Sequence, residues 1–291
     1  MKIGVVFPQT EIGRDPAAIR DYAQAVEAMG YAHILAFDSV VGANPDRPGG
    51  WSSQYTYQHA FHEPFVLFGF CAGVTRRIEL VTGIVILPQR QTALVAKQAA
   101  AVDVLSGGRL RLGVGVGWNT VEFEALGETF EDRGKRIEEQ VDVMRRLWTT
   151  ELVTYDGRWH RVPDAGINPL PVQRPIPLWM GGDSDVVIRR AARLADGWIT
   201  LPTFRPRPAG QETVERLHGL IREAGRDPAA FGIEARMALA TTPPEERAPE
   251  IAAWRAMRGI THLCVNTMRL GLSGADEHVK TLERFKKDVL G

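Results

Sequence analysis

Residues 81–119 constrain the fold more than any other part of the chain, because they read without a gap as strand, helix, turn, strand and glycine-rich loop. A β-branched run closes at Pro88, and the residues that follow place small and apolar side chains at helical spacing. Gly107 is expected to end this helix in the left-handed conformation that glycine tolerates. A buried strand then leads directly into Gly115 and Gly117. The segment is therefore predicted to be a parallel βαβ unit that ends in a loop able to face an anion.

The alternation of strands and helices continues along nearly the whole chain. Apolar runs without polar interruption are typical of parallel strands that helices cover. Eight such runs, separated by segments of helical periodicity, predict an α/β fold of the (β/α)8 TIM-barrel class, with residues 1–291 as one domain. The predicted strands are residues 3–7, 34–37, 78–86, 110–114, 177–180, 198–201, 233–240 and 263–265.

Two segments are too long to be ordinary connections between barrel elements. Residues 39–62 follow the second predicted strand and are rich in Gly, Pro, Tyr and Trp. Residues 152–175 precede the fifth strand and contain Asp156-Gly157, a pair typical of a β-hairpin turn. Because loops of this length in a compact domain are usually functional, both insertions are expected to contribute to a site.

The composition excludes several classes of function. Thirty-five basic residues balance 35 acidic ones, so no net field favours nucleic acid or an anionic membrane. No apolar stretch is long enough to span a bilayer. Cys71 and Cys264 lie in apolar surroundings and are expected to be buried thiols, which fits a cytoplasmic protein. The histidines show no spacing typical of a metal site, so no metal is expected.

Two segments at predicted strand ends have the features of an anion-binding backbone. One follows the fourth strand, and the other follows the fifth strand and opens a helix, whose N-terminal N–H groups favour negative charge. Each could also be a simple turn. The residues are Gly115, Val116, Gly117, Trp118 and Asn119 in the first segment, and Gly181, Gly182, Asp183 and Ser184 in the second.

Several sequence motifs in a fixed order resemble the bacterial luciferase-like monooxygenase superfamily, in particular its branch of oxidoreductases that use the deazaflavin coenzyme F420. The likeness extends from residue 1 to about residue 198 and is looser beyond. The motifs are residues 82–88 (TGIVILP), 96–99 (AKQA), 105–109 (LSGGR), 112–118 (LGVGVGW), 122–127 (EFEALG), 177–183 (PLWMGGD), 189–193 (RRAAR) and 196–198 (DGW).

The resemblance implies where the cofactor ring and the reacting groups lie. The residues Thr82, Gly83 and Ile84 match a strand bulge with a cis non-prolyl peptide beneath the flavin ring. Asp38 is expected to face the barrel mouth and contact the cofactor. The family usually has a histidine directly after this acidic residue, but this chain has Ser39.

The departure at Ser39 leaves the role of proton donor or base open. A serine hydroxyl is a poor acid near neutrality, although it can orient a substrate. His59 and His62 in the first insertion are candidate replacements, because only imidazole titrates near neutrality without perturbation. Each could instead be a structural histidine, so the catalytic candidates are Asp38, Ser39, His59 and His62.

Three functions remain open on the sequence. The first is hydride transfer between coenzyme F420 and a small organic substrate. The second is an FMN-dependent monooxygenase, in which a partner reductase supplies reduced flavin that reacts with O2. The third is a barrel that binds a flavin without turnover. The resemblance also implies a homodimer, whose apolar face would be formed by Phe65, Leu67, Phe68 and Phe70.

Overall fold

The computed structural model describes residues 1–52 and 55–291, and its central element is a closed barrel of parallel strands. The strands are β1 (Lys2–Val6), β2 (His33–Ala36), β3 (Glu79–Thr82), β4 (Val85–Ile86), β5 (Leu110–Gly115), β6 (Val153–Asp156), β7 (Arg161–Ala165), β8 (Leu178–Gly181), β9 (Gly197–Ile199), β10 (Gly232–Ala238) and β11 (His262–Asn266).

The order around the barrel is β1, β2, β3, β5, β8, β9, β10 and β11, and β11 pairs with β1 to close the ring. β4 continues the line of β3 and pairs with β5. The antiparallel pair β6 and β7 lies outside the barrel, as the turn at Asp156-Gly157 predicts. The predicted TIM barrel is thus confirmed, with the two insertions where the sequence placed them.

Helices cover the outside of the barrel. They are α1 (Pro16–Ala28), α2 (Pro64–Val74), α3 (Thr92–Ser106), α4 (Thr120–Ala125), α5 (Arg133–Thr149), α6 (Asp185–Leu194), α7 (Pro208–Glu223), α8 (Pro244–Ala256) and α9 (Gly274–Phe285), with short 3-10 turns at Leu87–Gln89 and Pro228–Ala230 and a final π turn at Lys286–Leu290.

The predicted boundaries differ from the structure mainly at one strand. The run predicted as a single strand over residues 78–86 is divided into β3 and β4, and the Gly83–Ile84 peptide between them is cis. α3 ends as expected, with Gly107 at a φ of 69°.

A buried ionic cluster lies inside the barrel near the amino ends of the strands. Glu234 of β10 joins two strands elsewhere in the ring: its carboxylate lies 2.7 Å from Nε2 of His33 on β2 and 2.5 Å from Nη1 of Arg111 on β5. Arg111 also pairs with Glu79 at 2.9 Å and stacks 4.1 Å from the Trp179 ring. Glu234 is fully buried, so these contacts offset the loss of solvation of its carboxylate inside the barrel.

Glycines make room for the rings of this cluster. A Cβ at Gly4 would lie 2.3 Å from the His33 ring, and one at Gly232 would lie 2.1 Å from the Trp179 ring. His33, Glu234 and Cys264 also bring potential metal-ligand atoms within 4.8 Å of one another, a grouping that the sequence analysis did not identify. The Arg111 guanidinium on Glu234 opposes a cation there by like-charge repulsion.

The apolar face predicted for a homodimer differs from the structure. Phe65, Leu67 and Phe68 are buried in the chain's own core, so they cannot form an outer surface. Phe70 is 40% exposed, and Val66 on the same helix is 71% exposed. The homodimer stays a prediction, and of the four residues named for its apolar face only Phe70 is exposed.

Two smaller predictions concern the thiols and the bilayer. Cys71 and Cys264 are both buried and not disulfide-bonded, as their apolar surroundings indicate. Across residues 1–52 and 55–291, no helix combines the length and apolar character needed to cross a membrane.

We expect Glu234→Gln to lower the free energy of unfolding at pH 7 by about 3 kcal/mol, because Arg111 loses its buried counter-ion. Burial raises the pKa of Glu234, but His33 and Arg111 lower it far more, to well below the ordinary value of 4.5. The ionised carboxylate therefore contributes its full stabilisation above pH 4.5, and this contribution falls as the pH is lowered toward the pKa of the folded state. The difference in stability between the two proteins should shrink toward pH 3.

The measurement is urea denaturation of both proteins across this pH range. Glu79→Gln is the matched control, since its carboxylate pairs with the same arginine but is 31% exposed, and its loss should stay below about 1 kcal/mol. Equal losses of stability in the two variants would show that the buried ion pair contributes no more to folding than the exposed one.

Candidate functional site

The candidate site lies at the carboxyl ends of the barrel strands, above an apolar layer that fills the barrel. This layer comprises Val6, Leu35, Val81, Trp179, Ile199, Cys264 and Met268. Phe37 and Ile84 pack on it and are only partly buried. A ligand entering the mouth therefore meets Phe37 and Ile84 first. This is the face on which TIM barrels carry their active sites.

The Ile84 side chain lies across two neighbouring strands. A Cβ at Gly115 would lie 1.8 Å from Cδ1 of Ile84, and a Cβ at Gly181 would lie 2.8 Å from Cγ2. Gly115 and Gly181 are thus required to make room for Ile84. Thr82, also predicted to hold the cofactor, is fully buried and donates its hydroxyl to the Gly113 carbonyl at 2.7 Å, so its side chain serves the barrel wall.

The two predicted anion-binding segments are neighbours, because β5 pairs directly with β8. Gly117 and Gly182 have φ values of 72° and 119°, which only glycine adopts without strain. No described residue accepts a hydrogen bond from the backbone N–H groups of residues 117–119. Ser184 caps α6, leaving the first N–H groups of that helix facing outward. This arrangement can hold a phosphate group.

The remaining members of these segments have structural partners or exposed side chains. Asn119 caps α4 through its side-chain oxygen and donates its amide to the Val41 carbonyl at 3.3 Å. Val116 is half-buried, whereas Trp118 is 52% exposed and its ring lies 5.9 Å from that of Trp51. Asp183 is exposed at the start of α6. The polar groups that these segments offer to an anion are therefore backbone N–H groups, since Asn119 is already engaged and Asp183 is acidic.

Arginines that the sequence analysis did not identify surround these segments. Arg133, at the start of α5, donates to the Gly117 carbonyl at 3.4 Å and stacks 3.5 Å from the Phe130 ring. A cavity between the amino ends of α6 and α7 is lined by Asp183 and by three arginines, Arg205, Arg207 and Arg216. The Pro/Arg-rich residues 202–208 were the available sequence signal.

Asp38 lies at the end of β2, but its carboxylate does not open into the mouth as expected. Its side chain is 1% exposed and pairs with Arg90 at 2.8 Å, while its second oxygen accepts a hydrogen bond from the Ile86 backbone at 3.0 Å. Arg90 also pairs with Glu63 at 2.8 Å. Burial raises the pKa of Asp38, against the opposing effect of Arg90. The carboxylate thus connects β2 to the segment that follows the cis peptide.

Ser39 is held by an acidic residue that the sequence analysis did not single out. Its hydroxyl donates to Glu122 at 3.0 Å, and the same carboxylate oxygen accepts the backbone N–H groups of Val40 and Val41 at 2.6 and 3.1 Å. Gln89 donates to the other oxygen at 3.2 Å. Glu122 is 4% exposed and therefore fixes the start of the first insertion. Its position in the EFEALG motif was the sequence signal.

The two histidines of the first insertion differ in their surroundings. His59 is exposed, its Nδ1 accepts a hydrogen bond from the Thr56 backbone at 3.1 Å, and its ring packs 5.6 Å from that of Tyr55. His62 is half-buried, directly precedes Glu63, and has no hydrogen bond or ion pair within the described ranges. Ser53 and Gln54 of this insertion lie outside the described residues.

The family model of luciferase-like monooxygenases matches residues 1–287. A Mycobacterium tuberculosis protein described as uncharacterised is 37% identical over 183 residues, which are 61% of this chain and 62% of that protein. An F420-dependent glucose-6-phosphate dehydrogenase of Segniliparus rotundus is 34% identical over 192 residues, 64% of this chain and 53% of that enzyme. Each match thus spans less than two thirds of the relative's length.

A solved structure of similar shape is a monooxygenase from Streptomyces bottropensis. It superposes with a TM-score of 0.78 at 20% sequence identity, over 100% of this chain and 99% of that one. At this identity the match supports the fold.

We expect Asp38→Asn to lower the free energy of unfolding by about 3 kcal/mol, since Arg90 is left with one counter-ion at a buried position. Glu63→Gln removes the other partner of Arg90, but this carboxylate is 32% exposed, and glutamine keeps an oxygen that can accept the Val66 N–H at the start of α2. The loss should therefore be below about 1 kcal/mol. Guanidinium denaturation of both variants measures the difference. A larger loss for Glu63→Gln would contradict the structural role assigned to Asp38.

Proposed function

Since this chain belongs to the luciferase-like monooxygenase family, we propose that it is an oxidoreductase that uses coenzyme F420 to transfer a hydride to or from a small organic substrate. The F420-dependent relative from Segniliparus supports the choice of cofactor. The observation that carries the proposal is the cavity lined by Arg205, Arg207 and Arg216 next to the phosphate-binding segments. FMN ends in one phosphate, whereas F420 carries further carboxylates beyond its phosphate. Arg205 and Arg207 offer charges for these carboxylates, whereas Arg216 already pairs with Asp185 at 2.8 Å.

The residues of the site divide the work of holding this cofactor. Backbone N–H groups of residues 117–119 and of the start of α6, with Arg133, would bind its phosphate. Ile84 offers an apolar surface for its ring, and Phe37 lies beside it on the same apolar layer. When bound, F420 supplies a ring carbon, C5, that accepts or donates a hydride.

The polar residues near the proposed ring surface hold one another in place. Asp38 holds Arg90 and the Ile86 backbone, and Glu122 holds Ser39. These contacts give both residues a positioning role. The proton that accompanies hydride transfer then needs another group, and His62 is the half-buried imidazole of this loop whose nitrogens have no described partner.

Titrating the purified protein with F420 and with FMN, followed by fluorescence, tests the proposal. We expect F420 to bind at least tenfold more tightly. The double change Arg205→Gln and Arg207→Gln should weaken F420 about tenfold and leave FMN unchanged, because the lost charges face only the longer anionic part.

Two further variants separate the parts of this site. Gly182→Val should weaken both cofactors, since a φ of 119° and a contact of 3.3 Å with Val187 oppose a side chain there. Arg146→Gln, an exposed change on α5, is the control that should alter neither. Tighter binding of FMN, with O2 consumed when a reductase supplies reduced flavin, would establish the monooxygenase instead. Binding without turnover of any carbonyl or alcohol would support the non-catalytic barrel.

We expect His62→Gln to slow the oxidation of bound reduced F420 by a reactive carbonyl compound on the order of 10²-fold, since a positioned proton donor contributes that much. The solvent deuterium isotope effect on this step should disappear with it. His59→Gln is the matched control, and its rate should stay within about twofold because Nδ1 of His59 already has a structural partner. Stopped-flow absorbance measures both rates. An unchanged isotope effect in His62→Gln would assign the proton to another group.

A further inference from the structure

Arg236 is a cation inside the barrel without a counter-ion. Side chains alternate along β10, so Gly232, Glu234 and Arg236 all face the interior, and Arg236 lies nearest the mouth. Glu234, two residues earlier, is held by His33 and Arg111. Arg236 forms no ion pair with any residue of the described ranges.

The hydrogen bonds of Arg236 are also incomplete. A guanidinium has five N–H groups. Nη2 donates to the Thr200 carbonyl at 3.1 Å, while Nε is buried and has no partner among the described residues. Burial lowers the pKa of Arg236 from its ordinary value, and the nearby Cys264, Glu234 and Tyr55 offset this only in part, so the charge is incompletely compensated.

Other partly or fully buried arginines of this protein are better satisfied. Arg111 pairs with Glu79 and Glu234, and Arg90 pairs with Asp38 and Glu63. Arg109 has no carboxylate, yet it donates to four backbone carbonyls and the Thr75 hydroxyl. Nε of Arg90 also lacks a partner among the described residues, but two carboxylates pair with its guanidinium, so what distinguishes Arg236 is an unpaired Nε without an ion pair.

The neighbours of Arg236 place it beside the proposed ring surface. Its guanidinium lies 5.4 Å from the centre of the Phe37 ring, and Phe37 packs on the same apolar layer as Ile84. Tyr55, from the first insertion, lies close enough to interact electrostatically with the guanidinium. A small molecule above Phe37 would thus have an apolar surface on one side and a cation at one end.

We propose that Arg236 binds the carboxylate of an anionic substrate, whose apolar part packs against Phe37. A planar guanidinium with free N–H groups fits the two oxygens of a carboxylate, and this pairing is stronger where water is excluded. The inference rests on the proposed function, since it names the substrate class of the same site. Small carboxylic acids with an aromatic or aliphatic body are then the substrates to screen.

Calorimetric titration with benzoate and with benzamide, which has the same shape without the charge, tests the proposal in the presence and absence of F420. We expect benzoate to bind at least tenfold more tightly to the wild-type protein. Arg236→Met should abolish this preference, and Arg236→Lys should retain part of it. Arg146→Met, an exposed change on α5, is the matched control and should keep the full preference.

The affinity for F420, measured in the same samples, should change less than twofold in Arg236→Met. Equal binding of benzoate and benzamide to the wild type, or a preference that survives Arg236→Met, would overturn the proposal. Tighter binding of phenyl phosphate than of benzoate would also overturn it, by assigning the site to phosphate esters. If Arg236→Met does not fold, the same criteria apply to Arg236→Lys, in which an undiminished preference counts against the proposal.

The proposed cofactor and the proposed carboxylate site can be contradicted independently of each other. A wild-type protein that binds benzoate through Arg236 but does not bind F420 would retain the carboxylate site and lose the proposed cofactor. A protein that binds F420 without preferring benzoate would show the reverse.

Discussion

The buried carboxylate of Glu234 is the interaction on which the rest of the barrel depends. It joins β10 to Arg111 on β5 and to His33 on β2, three strands that are not neighbours in the ring. Hydrogen bonds between adjacent strands close a barrel but leave its cross-section adjustable, whereas contacts across the interior fix which strands face each other. The ionic cluster, near the amino ends of the strands, therefore determines where the carboxyl ends of these strands lie around the site.

The glycines show how far the sequence could predict the fold and where it could not. The alternation of apolar runs and helices predicted the barrel, because burial of parallel strands dictates that pattern. Gly115 and Gly117 were predicted to form one anion-binding loop, but the structure shows that each glycine is required for a different reason. Gly115 makes room for Ile84, whereas Gly117 adopts a positive φ. One sequence cannot distinguish the two, since the side chain that fills the space comes from another strand.

The acidic residues of the site illustrate the same limit. The sequence identified Asp38 by its place at a strand end, and the structure agrees with that place. It could not predict that Arg90 and the Ile86 backbone would hold the carboxylate, or that Glu122 would hold Ser39, because these contacts span 48 to 83 residues. Local pattern predicts which residues reach an edge of the sheet. Their partners depend on how distant elements pack.

Glu234 and Arg236 separate the structural and functional layers of the barrel interior. They lie two residues apart on one face of β10, so the same strand geometry presents both. Glu234, nearer the amino end of β10, has its charge partners within the protein and contributes to folding. Arg236 lies nearer the mouth, and its buried, unpaired Nε is a cost that the folded chain keeps. Such a cost is expected where binding relieves it, since natural proteins depart from local satisfaction chiefly at functional sites.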